Sequence, residues 1–203
     1  MRVYVETNFV LELVFSQEQV QSCESLLTLA ERRAIELTIP AFSVMEPYQR
    51  IVRRKRDRDE LQSRLEKERA EVARVSAYRD PAGQLEQLSS FLIASSDRDR
   101  ARMSEIRDRV LASSLVTPLD AAVLQGASVL AERFGLSPED AVVLESVRID
   151  LAGSITSNAV FLTKNSKDFR DPEISEFLGC RVLFDFDNAL AAIQNNIEPR
   201  QPR

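Results

Sequence analysis

Four acidic residues stand just past segments that read as strands. Glu6 follows the apolar run Val3-Tyr4-Val5, and Glu46 lies in the first turns of a helix after a second strand. Asp140 sits in the first turn of a helix opened by Ser137-Pro138, and Asp168 follows a strand at Val160–Thr163. In an open parallel α/β sheet, side chains at the carboxyl ends of strands converge on one crevice. Four carboxylates brought together there repel one another unless a cation holds them, so the pattern predicts a divalent metal site. Glu6 is its strongest member, because a charge at the end of a buried strand needs a partner. Asp140 also reads as an acid favouring a helix start, and Asp168 as an ordinary loop acid. Glu46, set between Val44-Met45 and Tyr48, is harder to account for that way. Glu12, one to two turns beyond Glu6, is either an auxiliary acid or a surface charge.

Composition removes several other chemistries. The 203 residues include no histidine, which excludes Ser-His-Asp and Cys-His nucleophiles, His-bearing zinc sites and imidazole general bases. Cys23 and Cys180 are isolated and read as buried or half-buried thiols. A net charge of −5 argues against broad non-specific binding to nucleic acid while permitting a local basic patch. No apolar run approaches the ~20 residues a bilayer span requires. The amino terminus reads as a strand rather than a basic, apolar leader, so a cytoplasmic location and no membrane partner are expected.

The elements that must position the acids follow from apolar periodicity and breakers. Residues 2–5 and 35–39 read as short buried strands, with a helix over Gln17–Arg33 between them. Ser43 is a candidate cap for the next helix, expected from Val44 to Tyr78 and about 50 Å long. Asp80-Pro81-Ala82-Gly83 reads as a breaker, and a second helix is expected from Gln84 to Ser113. The two form an expected antiparallel helical arm, with coiled-coil packing as one option for it, inserted at about residues 50–115 of a single domain 1–203. Leu119–Phe134 reads as a helix ended by Gly135, and Ser137 as the cap of the helix after it. Ala159–Thr163 and Arg181–Phe184 read as strands, Asp187–Gln194 as the closing helix, and the polar tail as frayed. Strands alternating with helices indicate an α/β fold with a mostly parallel sheet.

At "VYVETN", "IPAFSVMEPYQR", "LSPEDAVVLESV" and "VFLTKNSKDF" the chain resembles the PIN-domain family, the metal-dependent ribonuclease fold. The likeness covers roughly residues 1–50 and 118–195 and leaves the arm unexplained. It implies a three-layer α/β/α sandwich with a parallel sheet of four to five strands, binding of Mg²⁺ or Mn²⁺, and hydrolysis of RNA phosphodiesters. Carried over, Glu6, Glu46, Asp140 and Asp168 are the catalytic and metal-binding quartet, with Thr7, Asn8, Thr163 and Asn165 as supporting polar groups. Glu6 departs from the family pattern, in which aspartate is usual. The chemistry is consistent, since hard divalent cations take oxygen ligands and activate water without a protein nucleophile. The dipole of its helix is expected to keep Asp140 ionised.

Arg50, Arg53 and Arg54 recur from Glu46 at steps of three or four, so they share one helix face, with Lys55, Arg56 and Arg58 nearby. They are either a ridge leading RNA phosphates to the metal or an exposed face with pairs to Asp57, Asp59 and Glu60. Implied partners are RNA, single-stranded by preference, and, for a toxin-type enzyme, a small antitoxin-like protein. A homodimer through the arm is compatible with either use. The other class of function is a PIN-like module that binds RNA or protein without cutting. Asp185-Phe186-Asp187 resembles a phosphatase DxD motif but comes too late in the chain for that role, and Asp187 reads as a helix cap.

Overall fold

The computed structural model describes residues 1–75, 79–154 and 158–197; the polar tail beyond lies outside them. In chain order the elements are β1 (Arg2–Val5), α1 (Thr7–Phe15), α2 (Val20–Glu31), β2 (Glu36–Pro40), α3 (Ala41–Val72), α4 (Arg79–Ser113) and β3 (Ser114–Thr117). There follow α5 (Ala121–Phe134), α6 (Pro138–Gly153), β4 (Ala159–Leu162), α7 (Ser166–Phe169), α8 (Pro172–Leu178), β5 (Arg181–Leu183) and α9 (Phe186–Ile197).

The five strands form one sheet in the order β3-β2-β1-β4-β5, and every pairing is parallel. Val3 of the central strand lies opposite Leu37 on one side and Val160 on the other. Parallel strands need long crossovers, which the helices supply. Side chains alternate between the faces, and both faces are buried, the mark of a sheet covered by helices on each side. Tyr4 and Phe161 join a core with Leu130, Leu144, Val147 and Ile174. Val3, Val5, Val160 and Leu162 are buried as well. Elsewhere in the same unit, Phe9 of α1 meets Phe186 of α9 edge-on at 5.9 Å.

The expected strands are present, and β3 adds a fifth, at the edge beside β2. Its Leu115 and Val116 are exposed, so it lacks the buried apolar signature of the others. The expected caps at Gly135, in the left-handed region with φ 64°, and Ser137 are also present. Ser43 is not a cap, because α3 begins at Ala41 and the Ser43 side chain is buried inside the first turn. Pro47 lies within α3, where it removes a helical donor. The Asp80-Pro81 pair does not separate the two long helices. It belongs to the first turn of α4, where proline costs no hydrogen bond.

The chain divides into two compact units, Met1–Glu46 with Ile106–Arg203, and Pro47–Glu105. The end of α4 and all of β3 belong to the first unit. Within the second unit, Arg58 pairs with Asp99 at 2.8 Å and Arg69 with Glu86 at 3.5 Å. Partners that fall in number on α4 as they rise on α3 define an antiparallel helix pair.

One glycine in the first unit is required by close approach. Glu145 of α6 is 3% exposed and clasped by Arg148 through bonds of 2.6 and 2.7 Å. A Cβ on Gly126 of α5 would lie 2.0 Å from Glu145 Oε1. The missing side chain makes room for a buried carboxylate between two packed helices.

Candidate functional site

The strand order reverses at β1: the chain builds outward through β2 and β3, then returns to place β4 on the other side. Ligands of open α/β sheets bind at the carboxyl ends of strands beside such a reversal. Glu6 follows β1, and Thr163 follows β4.

Glu6 is the N-cap of α1, and one carboxylate oxygen accepts the Asn8 backbone N–H at 2.7 Å. The other, Oε1, is buried and has no hydrogen-bond partner among the described residues. Burial pushes the carboxyl up from 4.5 to about 7; the bonds from Asn8 and the nearby Thr163 hydroxyl oppose this, and the Glu46 carboxylate adds to it. The glutamate at this position therefore both caps a helix and is buried.

Thr7, one residue on, donates its hydroxyl to Glu46 Oε2. Glu46 sits in the second turn of α3, half-buried. Glu6 and Glu46 are therefore neighbours, tied through Thr7 and by mutual repulsion.

Asp140 and Asp168 form the second pair. Ser137 donates its hydroxyl to Asp140 Oδ2 at 2.8 Å while accepting the Asp140 N–H at 3.1 Å. Asn165 donates its amide to Asp140 Oδ1 at 3.0 Å and accepts the Asp168 N–H at 3.4 Å as the cap of α7. The Asn165 N–H in turn donates to the Thr163 hydroxyl at 2.9 Å. Burial pushes the Asp140 carboxyl upward, the bonds from Ser137 and Asn165 oppose it, and Asp168 and Glu139 reinforce it. Desolvation is the largest of these influences.

All eight residues read from the sequence as acids or supports thus lie in the first unit, in two acid pairs bridged by Thr7, Thr163 and Asn165. Among the described residues no group of three or more His, Cys, Asp or Glu is disposed to hold a metal ion. The arrangement fits a hard cation best at Glu6, whose buried oxygen lacks a partner and faces like charge. It fits less well at Asp140, where both oxygens already accept hydrogen bonds.

Arg50 and Arg53 are exposed in the second unit, while Arg54 lies 3.9 Å from Asp99. Lys55 pairs with Asp59, and Arg56 with Glu60 at 3.4 Å, so part of this run forms the intrahelical pairs of a solvated face. Asp185 rather than Asp187 caps α9, accepting the Asn188 N–H at 2.8 Å, while Asp187 accepts the Ser22 hydroxyl. Cys23 and Cys180 are free thiols; burial raises both, Cys180 to about 11.

Sequence reasoning missed Lys164 and left Glu12 undecided. Glu12 is 1% exposed and pairs with Lys164 at 2.7 Å. The available signal was a lysine set between Thr163 and Asn165, both named as supports.

The chain matches no protein-family model and no curated protein. Among the described residues no helix is long and apolar enough to cross a membrane.

Proposed function

We propose that the protein is a Mg²⁺- or Mn²⁺-dependent endoribonuclease with a PIN-like α/β/α sandwich, acting on single-stranded RNA in the cytoplasm. The observation that carries this reading is the buried, unpartnered oxygen of Glu6 beside the Glu46 carboxylate, at the reversal point of a parallel sheet. A cation is the partner that such a pair calls for.

Glu6 and Glu46 would hold the ion, with Asp140 and Asp168 as the remaining candidate carboxylates of the site. When bound, such an ion lowers the pKa of a coordinated water and offsets charge on the attacked phosphate. The chain's own groups do the rest. Thr7 fixes the rotamer of Glu46, Asn165 and Ser137 hold Asp140, and Thr163 fixes Asn165. The burial of Glu6 keeps bulk water from one of its oxygens, and no protein nucleophile is required. The exposed arginines Arg50 and Arg53, with Arg54, are a separate candidate for phosphate contact. A toxin-type enzyme of this kind would be held by a small antitoxin-like protein, and the antiparallel helices offer a surface for a homodimer.

The second reading is a PIN-like module that binds RNA or protein without cleavage. It is favoured by the hydrogen bonds already made by Glu46 and by both oxygens of Asp140. Cleavage of mixed RNA with Mn²⁺ decides between them. The nuclease reading expects cutting that stops in excess chelator and falls at least 100-fold in Asp140→Asn, a scale set by loss of a catalytic carboxylate. Cutting that survives either change refutes it. A wild type that neither cuts nor binds Mn²⁺ by calorimetry supports the binding module.

A further inference from the structure

Glu12 is one of the most deeply buried charges in the first unit, and none of the roles assigned above uses it. One of its oxygens accepts Lys164 Nζ at 2.7 Å, and the other accepts the Gln19 N–H at 2.9 Å. Its carbonyl accepts the N–H groups of Ser16 and Gln17, where the left-handed Ser16 ends α1. Gln19 continues the network, its side chain accepting the Phe186 N–H at 3.1 Å and donating to Asp185. Glu12 thus joins the α1–α2 turn, the start of α9 and, through Lys164, the segment after β4.

That segment is Thr163-Lys164-Asn165. Thr163 lies near Glu6, and Asn165 holds Asp140 and caps the helix bearing Asp168. Lys164 occupies the middle position and places its ammonium against Glu12 rather than in a pair with any of the four acids, and this bond raises the lysine above its ordinary value. A lysine turned toward the acids would neutralise the very charges a cation needs. Held by Glu12, it anchors the backbone between the two supporting residues instead.

We propose that Lys164, clamped by Glu12, is a positioning residue that sets the placement of Thr163 and Asn165. This deepens the nuclease reading and rests on it for its functional consequence. Removing one partner alone leaves a buried charge and threatens folding, so the decisive variant replaces both: Glu12→Leu with Lys164→Met. An apolar pair of similar volume commonly keeps a fold stable.

Three measurements on the full chain test the proposal. The double variant, folded and melting within a few degrees of wild type, is expected to exchange its Asn165 side-chain amide protons at least tenfold faster. It is expected to bind Mn²⁺ 10- to 100-fold more weakly, the scale of lost outer-shell support. It is also expected to lose kcat on RNA with KM little changed, while Lys164→Arg retains wild-type values. Wild-type exchange at Asn165 in the folded double variant overturns the proposal, as does Mn²⁺ affinity within threefold of wild type. A double variant that does not fold shifts the same comparison to Lys164→Met and Lys164→Arg, where equal Asn165 exchange in the two overturns it. A wild type that binds no Mn²⁺ refutes the nuclease reading, and the Asn165 exchange still decides the positioning role.

Discussion

Glutamine at position 6 removes a single titration while keeping an oxygen able to accept the Asn8 N–H. In wild type the folded state holds the Glu6 proton more tightly than the unfolded chain, because burial lifts the carboxyl from 4.5 to about 7. The stability this contributes is present in full below pH 4.5 and lost as the pH rises through 7. At about 1.4 kcal/mol per pH unit the interval corresponds to about 3 kcal/mol. Urea unfolding in chelator, from pH 4.5 to 8, is expected to show wild type losing about 3 kcal/mol relative to Glu6→Gln. Asp140 also titrates high but is present in both proteins, so it cancels in the difference. A difference that stays flat, or that favours wild type as the pH rises, refutes the picture of a desolvated, unpartnered carboxyl. At pH 8, free Mn²⁺ at a hundredfold excess over Kd should return about 2.7 kcal/mol to wild type and far less to Glu6→Gln. Equal stabilisation of both would place the ion elsewhere.

Two further predictions concern the frame around the site. Gly126→Ala is expected to destabilise by about 1–3 kcal/mol in urea, because its new Cβ displaces the buried Glu145 carboxylate. In a Glu145→Ala background the same change should instead stabilise by up to about 1 kcal/mol through helix propensity. Asp185→Ala is expected to cost about 1–2 kcal/mol, since it removes both the α9 cap and the Gln19 partner. Asp187→Ala, which loses only the Ser22 contact, should cost less than about 1 kcal/mol, and the reverse order of melting temperatures would contradict the assignment.

What the sequence made legible was what local chemistry dictates. Val3-Tyr4-Val5 and Val160–Leu162 announced themselves as strands because they are buried on both faces and apolar throughout, and Ile35–Ile39 because its apolar residues alternate with Glu36 and Thr38. Ser137-Pro138-Glu139-Asp140 announced a helix start because cap, proline and acids each favour it separately. The edge strand Ser114–Thr117 did not, because its exposed Leu115 and Val116 follow a helix without a break. Asp80-Pro81 misled because the same dipeptide that stops a helix also starts one. At the site, Glu6, Glu46 and Asp168 were readable as acids following strands and Asp140 as an acid at a helix start, but their grouping into two pairs was not. That depends on which hydroxyl and amide each one meets, and Thr7, Ser137 and Asn165 make those choices in three dimensions. Glu12 could not be told from a surface acid, because its partner lies 152 residues away.

The central strand has a consequence for how the protein is made. β1 is synthesised well before β4, yet the two strands pair, with Arg2 opposite Ala159. At ~5–20 residues per second, a nascent chain exposes β1 for on the order of ten seconds before β4 emerges. Thr163, Asn165 and Asp168 arrive only after that strand, so Glu6 waits on an incomplete sheet, solvated and ionised. The crevice cannot assemble before β4 and the segment after it have been made. Whatever its acids act on is out of reach of this site until β4 and the segment after it have left the ribosome.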